Sequence, residues 1–250
     1  MIVTIHQPSY LPWIPFIEKA LKSDIFVLLD DVEFEKNSEQ NRNRIKTAQG
    51  AAWLTVPVNY HLHILIPDVT IPEAQKTWNI KHRKAIEQNY ARAPFYQSVA
   101  PPLFSLLDRE WPRLLDLNLA IETLFFEFAG FRGRVVRSSQ LPVSGTKSER
   151  ILSICTALGV TTYLSGQAGI DYLDLDSFAG NGIEILFQNY LHGEYPQLFA
   201  KAGFIPRLSA LDLFMNVGIE SEVQRIILAG ADWLSAEEML KKEPGTGKAD

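Results

Sequence analysis

One cysteine among 250 residues leaves no partner for an internal disulfide, which excludes a disulfide-stapled secreted scaffold. That residue, Cys155, falls in the apolar run Ile151 to Leu158 and is expected to be a buried thiol. Long hydrophobic runs are missing too. No stretch reaches the roughly 18 apolar residues of a membrane span, and Met1 to His6 lacks the basic start and apolar core of a secretory leader. The expectation is a cytoplasmic chain without membrane insertion. Positive charge is not in excess: 24 Lys and Arg against 29 Asp and Glu give a net −5, so general attraction to nucleic acid or an anionic membrane is not expected. Glycine-rich phosphate loops of the Walker and GxGxxG kinds are absent, and Ser165-Gly166-Gln167 lacks the preceding glycine of a hydrolase elbow. His61 and His63 have no cysteine partner and no HxxxH or HExxH nearby, so they read as a solvent-facing loop pair and no metal site is expected. No repeat of fixed period is found, and only the tail Lys241 to Asp250 has a disorder-like composition.

What is present is apolar content of 46%, enough for a sizeable core over residues 1–240 read as one α/β domain. Met1 to Ile5 reads as a strand, followed by a proline-punctuated turn (Pro8, Pro12, Pro15) and a helix reaching Lys22. Ile25 to Leu29 is apolar throughout instead of alternating, the pattern of a strand buried on both faces of a parallel sheet. Ala52 to Val58 and Ile64 to Ile71 read as further strands, an antiparallel excursion at the sheet edge. Helices are expected over 74–90, over 97–109 with an interruption at Pro101 and Pro102, and over 111–128. Strands return at Arg134 to Arg137, Thr161 to Leu164 and Gly182 to Phe187, around a helix opened by a capping box at Thr146 to Glu149. From Leu208 to Leu240 three short helices are expected, stopped at Gly218 and Gly230 and reopened by a capping box at Ser235 to Glu238. The fold class is a mostly parallel Rossmann-like sheet with a central helical insert at 74–130 and a helical C-terminus.

Ligands of open α/β sheets bind beyond the carboxyl ends of the strands, and every predicted parallel strand here is followed by polar residues. These are His6 and Gln7, Asp30 and Asp31, Ser138 and Ser139, Ser165 and Gly166, and Gln188 and Asn189. His6, Gln7, Asp30 and Ser165 are expected to share one pocket, flanked by the helical insert. His6 has a pKa suited to acid or base work, and its ordinary alternative is a histidine bonded to a loop carbonyl. Asp30 and Asp31 are adjacent on extended backbone, so at most one faces a ligand. The densest polar stretch runs from Asp30 to Lys46. Its alternation puts Asn41 and Asn43 on one face and Arg42, Arg44 and Lys46 on the other, a set suited to phosphate, carboxylate or sugar hydroxyls, or else a solvated edge strand. Trp53, Trp78, Trp111 and Trp233 read as core, whereas Tyr10 and Trp13 in the strand-one loop are placed to line a pocket.

The run His6-Gln7-Pro8-Ser9-Tyr10-Leu11-Pro12-Trp13, then Ser23 to Val27, Leu29-Asp30-Asp31-Val32 and Asn41 to Lys46, resembles the WbqC-like family. Trp53 to Val58, Tyr163 to Gly166, Asp171-Tyr172-Leu173 and Leu208 to Asp212 extend the resemblance over residues 1 to 218. Members occur in bacterial surface-polysaccharide (O-antigen) gene clusters and have been suggested to be glycine transferases that acylate an amino sugar. Three positions depart from the family pattern: Pro15 replaces a usual glycine, Glu33 a glutamine, and Glu39 an aromatic or apolar residue. A looser likeness is to the HUP-type sheet of nucleotidylyltransferases and pantothenate synthetase, which implies ATP by fold analogy alone. Its HxGH signature is replaced by Leu11-Pro12-Trp13-Ile14-Pro15.

The resemblance implies an enzyme joining glycine to an amino sugar on a nucleotide or lipid carrier. The carrier phosphates would meet Arg42, Arg44 and Lys46, and His6 or one of Asp30 and Asp31 would be the base. The other class of function is a non-catalytic protein that holds a nucleotide sugar. Nucleic acid is expected as a partner only if charged tRNA supplies the amino acid. Enzyme chemistry wants Asp30, His6 and Arg42 to converge, whereas a scaffold permits them to be dispersed.

Overall fold

A computed structural model describes residues 1–75 and 77–241. The first strand, Ile2–His6 (β1), passes through the proline turn into Ile14–Leu21 (α1), whose Pro15 occupies the first turn, where a missing N–H costs nothing. The chain returns as Ile25–Leu28 (β2), parallel to β1 and buried at every position, as its unbroken apolar run requires. A separate hairpin follows, Arg42–Thr47 (β3) and Gly50–Thr55 (β4).

Two expectations are corrected in this part of the chain. The hairpin is a two-stranded sheet of its own, not an edge of the main one. Ile64 to Ile71 forms no strand, because Pro67 sits in a tight turn at Ile66–Asp68 and only isolated bridges flank it.

The helical insert consists of Trp78–Tyr90 (α2), Tyr96–Leu107 (α3) and Leu114–Ala129 (α4). Pro101 and Pro102 do not interrupt α3 as expected. The carbonyls they leave without N–H partners belong to Gln97 and Ser98, both exposed, while Val99, Leu103 and Leu107 on the other face are buried.

Arg134–Arg137 (β5), Lys147–Ala157 (α5), Thr162–Ser165 (β6), Leu175–Gly180 (α6) and Glu184–Tyr190 (β7) complete the α/β alternation. Thr146 makes no side-chain cap to α5, so the first capping box is not formed. The C-terminal part contains Ala210–Val217 (α7), Ser221–Ala229 (α8), Ala231–Ser235 (β8) and Ala236–Lys241 (α9). The second capping box is formed, with Ser235 N donating to Glu238 Oε2 at 2.8 Å and Glu238 N to Ser235 Oγ at 3.3 Å. The strand β8 was not expected: only four residues separate the stop at Gly230 from the capping box at Ser235, the two helix signals that hide it. The expected loose tail lies, from residue 242 onward, outside the described residues.

The main sheet has the order β5-β2-β1-β6-β7-β8, parallel except for β8. Strands are added leftward from β1 to β5, and the chain then crosses to β6 on the other side of β1. The strand order therefore reverses between β1 and β6, where a doubly wound sheet opens a crevice at its carboxyl edge. Helices cover both faces. α1, the insert, α7 and α8 enclose the larger core, and α5, α6 and α9 the smaller one, which buries Cys155. The fold is Rossmann-like. Among the described residues no helix is long and apolar enough to cross a membrane.

Candidate functional site

A cavity of about 630 Å³ opens at the reversal point between β1 and β6. His6, ending β1, and Gly166, following β6, meet there with Lys19 of α1. His6 Nδ1 lies 2.9 Å from Gln7 O, and because a carbonyl only accepts, Nδ1 carries the proton and Nε2 is the acceptor. Its ring packs edge-on to Trp13 and Phe16. Burial, together with the Lys19 ammonium, lowers the His6 pKa to about 3, so the ring is neutral at physiological pH. The loop-carbonyl arrangement named as the ordinary alternative for His6 is thus present, on a side chain that also lines the cavity.

Lys19 is 4% exposed. Burial lowers its pKa to about 8, against the opposing pull of Glu18. Its Nζ has no hydrogen-bond or ion-pair partner among the described residues. The Glu18 carboxylate is held elsewhere, accepting from Trp233 Nε1 at 2.9 Å and from Gln188 Nε2. The amine lies beside Gly166, where a β-carbon would stand 3.9 Å from Lys19 Nζ.

The rim carries two arginines. Arg44 of β3 donates through Nη2 to Arg207 O at 3.0 Å and lies over the Trp53 ring at 5.4 Å. Neither Arg44 nor Arg207 forms an ion pair among the described residues, and both line the cavity. The hairpin that presents Arg44 is pinned by Asn43, whose Nδ2 donates to Leu11 O at 2.7 Å. Glu39, exposed at the rim, and His192 complete the charged and titratable lining together with Tyr190. Burial and the nearby Arg207 lower His192 to about 4.

The residues singled out from the sequence separate into groups. His6, Trp13, Asn43, Arg44 and Gly166 line this cavity. Gln7 and Asp31 line a neighbouring cavity of about 790 Å³, where Asp31 pairs with Arg150 and accepts from Ser138 Oγ at 2.6 Å. Asp30 is fully buried and accepts from Arg137 Nε, Ser139 N and Ser139 Oγ, while its own N–H donates to Ser138 Oγ, which ties the end of β2 to the end of β5. Burial alone would raise its pKa, but these donors outweigh that and hold it below the usual value. Ser165 is buried and donates to Gly166 O. The single pocket expected for His6, Gln7, Asp30 and Ser165 is therefore divided, because Asp30 and Ser165 are committed to bonds within the framework.

Tyr10 is a core residue, its hydroxyl 2.8 Å from His82 Nδ1. Asn41 donates through Nδ2 to Val56 O and anchors the hairpin from within. Arg42 lies over the Trp53 ring at 4.3 Å and does not line the cavity, and its buried Nε has no partner. Lys46 shares a strand face with the arginines yet is buried, because the segment after β7 closes over it: Nζ donates to Gln197 Oε1 at 3.0 Å and to Gly203 O at 2.6 Å. Among the described residues none of the insert lines the cavity. The insert instead braces the pieces that do, with Tyr90 OH accepting from Lys46 N and Glu122 Oε1 from Ser9 N.

Lys19 and Arg207 were not read from the sequence. Lys19 had a visible signal, a charged pair, Glu18-Lys19, within the otherwise apolar stretch Ile14–Leu21 beside the strand-one loop. Arg207 had none, since only the tertiary fold brings it to Arg44.

A doubly wound sheet with a cation-lined cavity where its strand order reverses defines a Rossmann-like protein whose pocket suits an anionic small molecule. The chain belongs to the WbqC-like protein family, whose sequence model covers residues 7–224. It is 32% identical over 223 residues to "Uncharacterized protein Rv1507c" of Mycobacterium tuberculosis (strain ATCC 25618 / H37Rv), a match spanning 88% of this chain and 95% of that relative. No solved structure matches the chain.

Proposed function

We propose that the chain is a cytoplasmic transferase of surface-polysaccharide (O-antigen) assembly that joins an amino acid, glycine in the first instance, to an amino sugar by an amide bond. The sugar is carried on a nucleotide or lipid phosphate. The observation that carries this reading is the cavity between β1 and β6, where Arg44 and Arg207 present cations without ion-pair partners among the described residues, with the buried Lys19 amine behind them. Arginine forks suit phosphate, and Trp13 and Trp53 offer aromatic surfaces to a sugar or base. The cavity volume lies within the usual range for small-molecule sites. Glycine would enter as an activated acyl group: an adenylate made with ATP, a carrier thioester or a charged tRNA.

A second reading, a non-catalytic holder of the nucleotide sugar, is favoured by one arrangement. Asp30, His6 and Arg42 do not converge: Asp30 is saturated by framework donors and Arg42 lies outside the cavity. One assay separates the two. Purified protein is incubated with glycine, ATP and a nucleotide-linked amino sugar, with and without charged tRNA, and the sugar is examined for the mass gain of a glycyl group. Product identifies the transferase; tight sugar-nucleotide binding without product identifies the holder.

A further inference from the structure

Glu18 and Lys19 are charged residues on a helix buried almost throughout, and the structure accounts for only one of them. Glu18 is held by Trp233 and Gln188. Lys19 is buried, has no partner among the described residues, and lines the cavity with its amine beside Gly166 and near His6. A third charge for phosphate is not needed there, because Arg44 and Arg207 already stand together at the rim.

We infer that Lys19 is the catalytic base of this site, the group that removes the proton from the attacking ammonium. The inference rests on the amide-transfer reading. In the step, the Lys19 Nζ lone pair takes one proton from the sugar ammonium, giving a neutral amine and a lysine ammonium. The amine nitrogen bonds to the acyl carbon, and the bond from that carbon to its activating group breaks, its electron pair leaving with that group. The second proton lost from nitrogen goes to the leaving group, and Lys19 returns its own to solvent. His6 is poorly suited to this task, since its depressed basicity gives it little hold on an amine proton. The groups facing Lys19 are His6 from β1, Arg44 from β3, Tyr190 and His192 at and beyond β7, Arg207 before α7, and Glu39 at the rim, with Glu18 on its own helix. Burial favours the neutral amine and outweighs the Glu18 carboxylate, which opposes it.

The test compares the wild type with Lys19→Arg and Lys19→Met. In the assay above, both variants are expected to lose about 10²- to 10⁴-fold in kcat, the usual contribution of a general base. Lys19→Arg should hold the nucleotide-linked amino sugar within about twofold of wild type by calorimetry, because it keeps the charge. The wild-type rate should rise with pH through an inflection near 8, and that inflection should vanish in Lys19→Arg. A second arm does not depend on turnover: competitive acetylation followed by mass spectrometry should show Lys19 reacting with a midpoint near pH 8 and shielded by the sugar nucleotide. Lys19→Arg turning over like wild type, or acetylation of Lys19 with the midpoint of surface lysines, overturns the inference while wild-type product leaves the transferase reading standing. If the wild type gives no product, the transferase reading fails, and the catalytic role of Lys19 fails with it, even where acetylation finds a neutral, shielded amine.

Discussion

Trp233 Nε1 donates to Glu18 Oε1 at 2.9 Å, a bond that joins β8 to α1 across nearly the whole chain. With Gln188 Nε2 on the other carboxylate oxygen, it fixes Glu18 away from the amine of its neighbour. Removing this donor in Trp233→Phe should cost about 1 to 3 kcal/mol, the penalty of leaving a buried acceptor short of a partner. The pH dependence has a definite sign. Burial raises the Glu18 pKa, so the folded state holds its proton above the unfolded value and stability falls as pH rises through that window. Trp233→Phe should raise the folded pKa further and widen the window, which denaturant melts between pH 4 and pH 8 would show.

Lys19 makes a prediction for stability apart from its chemistry. Its folded pKa is depressed to about 8, so between that value and the unfolded value of 10.5 the unfolded chain binds more protons, and stability contributed by this site rises with pH. Lys19→Met removes a buried unpaired cation and keeps a side chain of similar length. At pH 7 it should be more stable than wild type by about 3 kcal/mol at most, and the two should converge as pH approaches 10. Paired melts at pH 7 and 10 measure the difference. A variant less stable than wild type at pH 7 would mean that Lys19 is held by contacts the cavity does not reveal.

Asp30 is the residue whose function the structure separates most sharply from its sequence position. It follows a parallel strand, as a catalytic acid of this fold class does, yet its oxygens are committed to Arg137 and Ser139. Asp30→Asn should cost about 3 kcal/mol by leaving Arg137 and the Ser139 donors poorly matched. Its lowered pKa stabilises the fold above the unfolded value of 3.8, and that contribution is lost as pH falls through the folded pKa. Sugar-nucleotide affinity should be unchanged, since the carboxylate does not line the cavity. A large loss of affinity with an unchanged melt would restore Asp30 to the site.

Much of the sheet was legible because its signals are local. The unbroken apolar run of β2, the β-branched opening of β1 and the polar residue after each strand follow from burial on both faces and need no knowledge of distant partners. The strand β8 was not legible, because four residues between two helix signals carry too little pattern to register. The site divided along the same line. His6 and Gly166 could be read from strand ends and Arg44 from the Asn-Arg alternation. Whether Asp30 faces a ligand or Arg137 depends on β5, more than a hundred residues away, and Lys46 was misplaced because the segment that buries it comes after β7.

The alternation of Asn41, Arg42, Asn43, Arg44 and Lys46 invites one role for three cations, and the structure gives them three. Arg44 faces the cavity, Arg42 stacks on Trp53 outside it, and Lys46 is bonded inside the protein. Arg44→Ala should therefore weaken binding of a nucleotide-linked amino sugar by about 1.5 to 3 kcal/mol, the scale of a hydrogen bond to a charged group, with little change in Tm. Arg207→Ala should behave alike, because its backbone carbonyl, the group that Arg44 uses, survives the substitution. Arg42→Ala should affect binding weakly, losing a stacking contact worth about 0.5 to 1 kcal/mol. Lys46→Ala should do the reverse of Arg44→Ala, lowering Tm clearly by emptying the buried volume between Gln197 and Gly203 while changing affinity little at temperatures where it stays folded. Calorimetric titrations beside thermal melts of the four variants measure both quantities. Equal losses of affinity at Arg42, Arg44 and Lys46 would mean that the whole strand face meets the ligand, which would require the segment after β7 to move aside on binding.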